Sequence, residues 1–389
     1  MLQIGVLNQE SDNESRVALV PAGVKKLKAL SVDVLVESGA GLRAGFADAD
    51  YSAAGAMIVP DASAVHACDV ILAVRQPSVA RIARFRAGAA LIGLLSPLAD
   101  QALVDALINS NVSGLAMELV PRITRAQSMD ALSSQGNIAG YKAVLLAAAV
   151  SPRIFPMLMT AAGTLQPTKL FVIGAGVAGL QAISTAKRLG AVVSAYDVRP
   201  AVKEQVQSVG ARFIELPIDT ADAQDKGGYA KAQSEETLVR QRALMAKTIA
   251  ESDVVISTAL VPGKPAPKLV PADAVAQMKI GSVIVDLAAE RGGNCELTQP
   301  GQTIDHNGVT IIGIENLAGT VPLHASQVYS SNVVNLLSVM IDKQGAFKID
   351  TADEIIKAVL VCHNGQLVNE MVAGTLPAVS VETGLQKSE

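Results

Sequence analysis

Cysteine, histidine and charge are scarce in this 389-residue chain, and each shortage removes a class of function. Cys68, Cys295 and Cys362 are odd in number and lack metal-type spacing, so they read as buried free thiols. His66, His306, His324 and His363 lie far apart, with no partner ligand at short spacing, and no metal site is expected. Only 17% of residues are charged, 32 basic against 36 acidic, and there is no basic run. That balance argues against nucleic acid or anionic lipid as the main ligand. No stretch of 18 uncharged apolar residues exists: 143-AVLLAAAV-150 is flanked by Lys142 and Pro152, and 170-LFVIGAGVAGL-180 is studded with glycine. The amino terminus has no basic segment ahead of an apolar one, and reads as a mature, cytosolic start. There is no tandem repeat and no low-complexity tract.

What remains is a globular composition, half of it apolar. At roughly 150 residues per domain the length predicts two to three domains, burying about three-quarters of the unfolded surface. Short β-branched runs alternate with Ala-rich amphipathic stretches: 3-QIGVL-7, 33-DVLVES-38, 69-DVILAV-74, 90-ALIGLL-95 and 114-GLAMELV-120. The pattern repeats with 169-KLFVI-173, 191-AVVSAYD-197, 212-RFIEL-216, 253-DVVIST-258, 282-SVIVDLA-288 and 309-VTIIGI-314. This is α/β wiring with helical crossovers such as 23–30 and 100–108. Long helices are expected over 128–150 and 328–341, carrying the chain between domains. The reading is two Rossmann-like, doubly wound parallel-sheet domains separated by a cleft: 1–127 plus 328–389, and 128–327.

The strongest constellation follows Lys169. Strand LFVI runs into Gly174-Ala175-Gly176-Val177-Ala178-Gly179, which opens a helix, and a second strand ends at Asp197. The first glycine permits the tight turn, the second lets a pyrophosphate approach the backbone, and the third allows close packing of helix on strand. A carboxylate at Asp197 accepts from a ribose 2′-hydroxyl and repels a 2′-phosphate, which favours NAD(H) over NADP(H). Arg199 could pair with a 2′-phosphate, but an adenine-stacking or exposed role is the preferred reading.

A dehydrogenase acting on an alcohol or amine needs a positioned base, and candidates are scarce here. Hydride transfer between two nicotinamides needs none at the reacting carbon. Alignment alone can lower a bimolecular barrier by about 7–11 kcal/mol. Arg122, Gln127, Asp130 and Ser133 are polar groups suited to that alignment, although the same segment reads equally as a capped helix start with solvated charges.

The motifs 122-RITRAQSMDALSSQ-135, 174-GAGVAGLQAI-183, 196-YDVRP-200, 227-GGYAKAQSEE-236, 259-ALVPGKPAPKL-269 and 285-VDLAAERGGNCE-296 identify a family. Along nearly its whole length the chain resembles the NAD(H)-binding component of the proton-translocating nicotinamide nucleotide transhydrogenases. The resemblance implies that Arg122, Gln127, Asp130 and Ser133 hold the dihydronicotinamide. It implies that 218–236 is a loop closing over nucleotide, with Tyr229 in a catalytic role and Gly228 beside it. Cofactor-binding positions carried over are Gly174, Ala175, Gly176, Val177, Gly179, Asp197, Arg199, Gly228, Thr258, Ala259 and Leu260.

The resemblance further implies hydride transfer from NADH to NADP⁺ on a partner subunit, coupled to proton translocation by membrane-embedded subunits. The chain would be a homodimer, peripheral on the cytoplasmic face of the cell membrane, and not itself inserted. Alanine dehydrogenase shares this fold and the motifs 16-RVAL-19 and 36-VESGAG-41. That family's substrate Lys and its His correspond here to Arg75 and Ser96, so the base is absent. A non-catalytic NAD(H)-sensing protein is the third reading.

Overall fold

The computed structural model describes residues 1–216, 231, 233–261 and 263–375. In chain order the strands are β1 (Gln3–Val6), β2 (Asp33–Glu37), β3 (Met57–Val59), β4 (Val70–Arg75), β5 (Ala90–Leu94), β6 (Ser113–Ala116), β7 (Leu158–Thr160), β8 (Gly163–Leu165) and β9 (Lys169–Ile173). There follow β10 (Val192–Tyr196), β11 (Arg212–Phe213), β12 (Val254–Ser257), β13 (Val283–Asp286), β14 (Thr303–His306), β15 (Val309–Ile312), β16 (Leu360–His363) and β17 (Gln366–Leu367). Four helices bear on function: α1 (Ala131–Val150), α2 (Val177–Arg188), α3 (Glu235–Glu251) and α4 (Pro322–Met340).

The chain divides into two compact units, Met1–Ala131 with the described residues from Tyr329 onward, and Leu132–Val328. Both dividing points fall inside long helices, α1 and α4. Pro322 occupies the first position of α4, where its missing N–H is no loss, so that helix begins six residues before the expected 328.

In the first unit the sheet order is β17-β16-β6-β5-β4-β1-β2-β3. Strands β1 to β6 are parallel, and β16 adds antiparallel to β6, with Leu360 opposite Leu115. Apolar side chains cover both faces, Val6, Val36 and Leu72 on one and Leu35, Ile71 and Leu91 on the other. Burial on both sides is why these strands read as continuous apolar runs. The order reverses between β1 and β4, but no glycine turn stands there. Instead the loop after β1 supplies a buried ion pair: Arg16 donates from Nε and Nη2 to Glu14 at 2.8 and 2.6 Å, and Arg75 Nε lies 3.2 Å from the same carboxylate.

The second unit's sheet has the order β11-β10-β9-β12-β13-β15-β14. All neighbours run parallel except the hairpin β14–β15. Leu170, Val172 and Ile256 pack on one face, and Phe171, Ile173 and Val255 on the other. The strand order reverses between β9 and β12, which opens a crevice beyond the carboxyl end of β9. β7 and β8 form a separate two-stranded hairpin.

Periodicity in the sequence does not announce β3, β7, β8, β14, β16 or β17, and it extends β6 to residue 120. The chain leaves that strand after Ala116 for a turn of 3-10 helix over Met117–Leu119. There the Glu118 carboxylate accepts from the backbone N–H groups of Leu95 and Ser96, and Ser96 is held at φ 53°.

Candidate functional site

The glycine turn stands at the reversal point of the second sheet. Gly174 follows β9 with φ 91°, a conformation that excludes ordinary side chains, and its N–H bonds Tyr196 O at 2.8 Å. A Cβ there would come within 2.9 Å of Thr258 Oγ1 and 3.0 Å of Ala259 N. A Cβ on Gly179 would overlap the Gly174 carbonyl oxygen, so α2 lies directly against the turn. Gly176 is different: among the described residues only Arg199 Nη2, at 3.8 Å, lies within 4 Å of a Cβ built there. Gly176 is also the N-cap of α2 and offers its first turn no side-chain acceptor. Open space, a bare helix start and its dipole fit a dinucleotide pyrophosphate.

Asp197, 8% exposed, ends the strand beside this turn. Its Oδ2 accepts from Ala175 N at 2.8 Å and Arg199 Nη2 at 3.0 Å, and its Oδ1 from Arg199 N at 2.9 Å and Nε at 3.0 Å. Four donors use the roughly four lone-pair sites of a carboxylate. The expectation of an exposed Arg199 is corrected: its guanidinium forks onto Asp197, and its side chain is only 13% exposed. A bidentate pair in a half-closed site is stronger than contact with water. A ribose hydroxyl reaches Asp197 only if one of these bonds gives way.

Thr258 donates its hydroxyl to Gly174 O at 2.8 Å, tying the end of β12 to the glycine turn. Ala259 is held by Asn294, whose Oδ1 accepts from Ala259 N at 3.0 Å and whose Nδ2 donates to Ala259 O at 2.8 Å and Pro267 O at 2.9 Å. Leu260, next in line, is exposed. Sequence reasoning missed Asn294, although it stands in the motif 285-VDLAAERGGNCE-296.

Further residues escape a reading of the sequence. Gly140, on α1, comes so close to α2 that a Cβ would overlap the Ala178 carbonyl oxygen, while at Gly136 the nearest atoms, on Val177 and Ala178, are 3.8 Å away. The spacing of four places both glycines on one face of α1, and that was the available signal. Below the turn, the Tyr196 hydroxyl is pushed up to about 12 by burial and by the charge of Asp197. The Gln241 amide on α3 approaches it, yet neither group reaches hydrogen-bonding geometry.

Arg122, Gln127 and Asp130 lie in one segment of the first unit that includes the 3-10 helix Thr124–Met129. Arg122 and Gln127 are exposed and Asp130 is half-buried, while Ala126 and Met129 anchor the segment in the core. Ser128 O accepts from Asn332 and Asn335 at 2.9 and 3.0 Å, and Arg125 pairs with Asp353 at 2.7 Å. Ser133, half-buried, stands in the first turn of α1 and counts with the second unit. Gly228 and Tyr229 lie outside the described residues. The three cysteines are buried and unpaired, and burial lifts the Cys68 and Cys362 thiols to about 11. They are unreactive at neutral pH.

Two family models match the chain: alanine dehydrogenase/PNT, N-terminal domain, over residues 5–139, and alanine dehydrogenase/PNT, C-terminal domain, over 143–370. An NAD(P) transhydrogenase alpha-subunit polypeptide of Rhodospirillum rubrum is 44% identical over 381 residues, covering 96% of this chain and 99% of that protein. The alanine dehydrogenase of Bacillus subtilis is more distant, 31% identical over 381 residues, covering 96% and 94%. The crystal structure of transhydrogenase from Sinorhizobium meliloti superimposes with a TM-score of 0.83 at 45% identity, covering 95% of this chain and 99% of that one.

Proposed function

Because the chain belongs to the alanine dehydrogenase/PNT family, we propose that it works as the NAD(H)-binding alpha subunit of a proton-translocating NAD(P) transhydrogenase. The observation that carries this reading is the near end-to-end identity with the Rhodospirillum rubrum alpha-subunit polypeptide, 44% against 31% for the Bacillus subtilis alanine dehydrogenase. The glycine turn beside Asp197 supports NADH as the nucleotide.

In this mechanism the backbone at Gly174, Gly176 and Gly179 receives the pyrophosphate, and Asp197 takes the adenosine ribose as Arg199 swings aside. Arg199, released next to Gly176, then neutralises phosphate charge. Arg122, Gln127, Asp130 and Ser133 orient the dihydronicotinamide, and Tyr229 is assigned a catalytic role by the resemblance alone. NADH supplies the hydride, which passes directly to NADP⁺ held on a partner subunit. No residue of this chain has to move a proton, because hydride leaves one ring carbon and joins another. The chain's contribution is alignment and exclusion of water.

Among the described residues no helix is long and apolar enough to cross a membrane. By likeness to the transhydrogenase alpha subunits, proton movement is assigned to membrane-embedded partner subunits, with this chain docked on their cytoplasmic face and paired with a second copy of itself.

The test mixes purified protein with an NADP(H)-binding component and follows reduction of an NAD analogue by NADPH, with L-alanine plus NAD⁺ in parallel. The expected result is transfer between nucleotides and no turnover of alanine. Activity with alanine alone reverses the assignment.

A further inference from the structure

The strand reversal divides the second sheet into two halves, β11-β10-β9 and β12-β13-β15-β14, and in a doubly wound sheet each half receives one mononucleotide of a dinucleotide. Asp197, which takes the adenosine ribose in the reading above, follows β10. With adenosine there, the nicotinamide mononucleotide falls to the half built on β12 and β13. The wall it meets is the segment that follows β12.

That wall has little structure of its own. Between Ser257 and the short helix Ala272–Ala276 its described residues form no helix and no strand, only the single bridge Val270–Cys295. Its ties run to the turn after β13. Ala266 N donates to Arg291 O at 2.9 Å, and Leu269 N and Val270 N both donate to Asn294 O, at 2.8 and 3.0 Å. Lys268, half-buried, donates its ammonium to the carbonyl oxygens of Gly292 and Cys295, the latter at 3.2 Å. Arg242 of α3 donates from Nε to Lys268 O at 2.7 Å.

Asn294 is the fully buried hub of this set. Its amide oxygen accepts from Ala259 N, and its amide nitrogen donates to Ala259 O and Pro267 O, so acceptor and donors are all matched. An aspartate there would have no proton to donate to either carbonyl. Both backbone polar groups of Ala259 are held by this one side chain, beside the glycine turn: a Cβ on Gly174 would lie 3.0 Å from Ala259 N.

Resting on the transhydrogenase reading above, we infer that Asn294 is a positioning residue for the nicotinamide half of NADH: it fixes the wall at Ala259, and Lys268 braces the same turn. The adenosine half lies on the other side of the strand reversal, so the effect of Asn294 is confined to one end of the nucleotide. Ring placement matters to transfer, because a misplacement of about 1 Å can cost about 100-fold in rate.

The test titrates NADH and 5′-AMP into wild type, Asn294→Ala, Lys268→Met and Lys268→Arg, and follows hydride transfer at saturating NADH with the NADP(H)-binding component added. Asn294→Ala should raise the NADH Kd at least about tenfold, leave that of 5′-AMP within about twofold, and slow transfer at least about tenfold. Lys268→Met should shift the same quantities less, and Lys268→Arg, which keeps a cation for the two carbonyls, should restore them. Proportional loss of NADH and 5′-AMP, or loss of neither, overturns the inference, since a merely structural clasp does not distinguish the two ligands. Should Asn294→Ala fail to fold, a wild-type ratio of the two affinities in Lys268→Met overturns it. Wild type that binds NADH but transfers no hydride strikes the transhydrogenase reading, while the affinity ratio still decides the role of Asn294.

Discussion

A methyl group on Gly140 would overlap the carbonyl oxygen of Ala178, so the long helix α1 meets the first turn of helix α2 backbone to backbone. The position of the proposed pyrophosphate site is thereby tied to a residue 34 positions upstream of Gly174 (174 − 140).

Gly140→Ala should accordingly cost about 1–3 kcal/mol through overpacking. It should also weaken NADH binding, since relief of the clash must move the start of α2. Gly136→Ala is the control: its nearest neighbours at 3.8 Å leave room for a methyl, and helix propensity rises. Thermal scans and NADH titration of both variants check this, and equal tolerance at the two positions would contradict the contact.

Asp197→Ala should reduce the preference for NADH over NADPH by at least about tenfold, or ~1.4 kcal/mol. The repelling carboxylate is lost, and Arg199 is freed toward a 2′-phosphate. Stability should fall as well, because an ion pair whose side chains are 5% and 13% exposed is broken with one charge left behind. Paired fluorescence titrations with the two nucleotides read the ratio. An unchanged ratio would remove Asp197 from the ribose site.

Glu14→Gln should destabilise the first unit by about 3–5 kcal/mol, because Arg16 is left buried without its charge partner. Burial alone would push the Glu14 carboxyl up, but the hydrogen bonds and charge of Arg16, with Arg75 behind them, hold it below its ordinary value of 4.5. The folded value lies below the unfolded one, so the pair's contribution is complete above the ordinary value and fades as pH falls through the depressed one. Melting temperatures measured downward from pH 6 should show wild type losing an acid-sensitive increment that Glu14→Gln lacks.

Gln241→Met should raise stability by about 1–2 kcal/mol, since both amide atoms of this fully buried side chain are without partners and methionine fills a similar volume. A lower melting temperature would instead reveal a water bridging Gln241 to Tyr196.

The central parallel strands were legible because each is buried on both faces and its own residues announce it, as 169-KLFVI-173 and 254-VVIS-257 do. The edge strands were not. Thr303–His306 alternates exposed and half-exposed positions, and Met57–Val59 is too short for any period to develop. The 114–120 run reads as one strand because only the third dimension shows Glu118 turning back to the amides of Leu95 and Ser96.

Local chemistry decided the glycine turn and Asp197 from sequence alone: strand, three glycines, helix and terminal acid lie within 29 residues, and their spacing is itself the geometry. Contacts between distant residues could not be so decided. That Arg199 saturates Asp197 depends on side-chain torsions; that Gly140 abuts Ala178 and Asn294 clasps Ala259 depends on how helices and loops pack; and that Met159 faces outward depends on what the rest of the chain leaves uncovered. Sequence spacing specifies neighbours along the backbone, whereas burial and partner choice are properties of the assembled core.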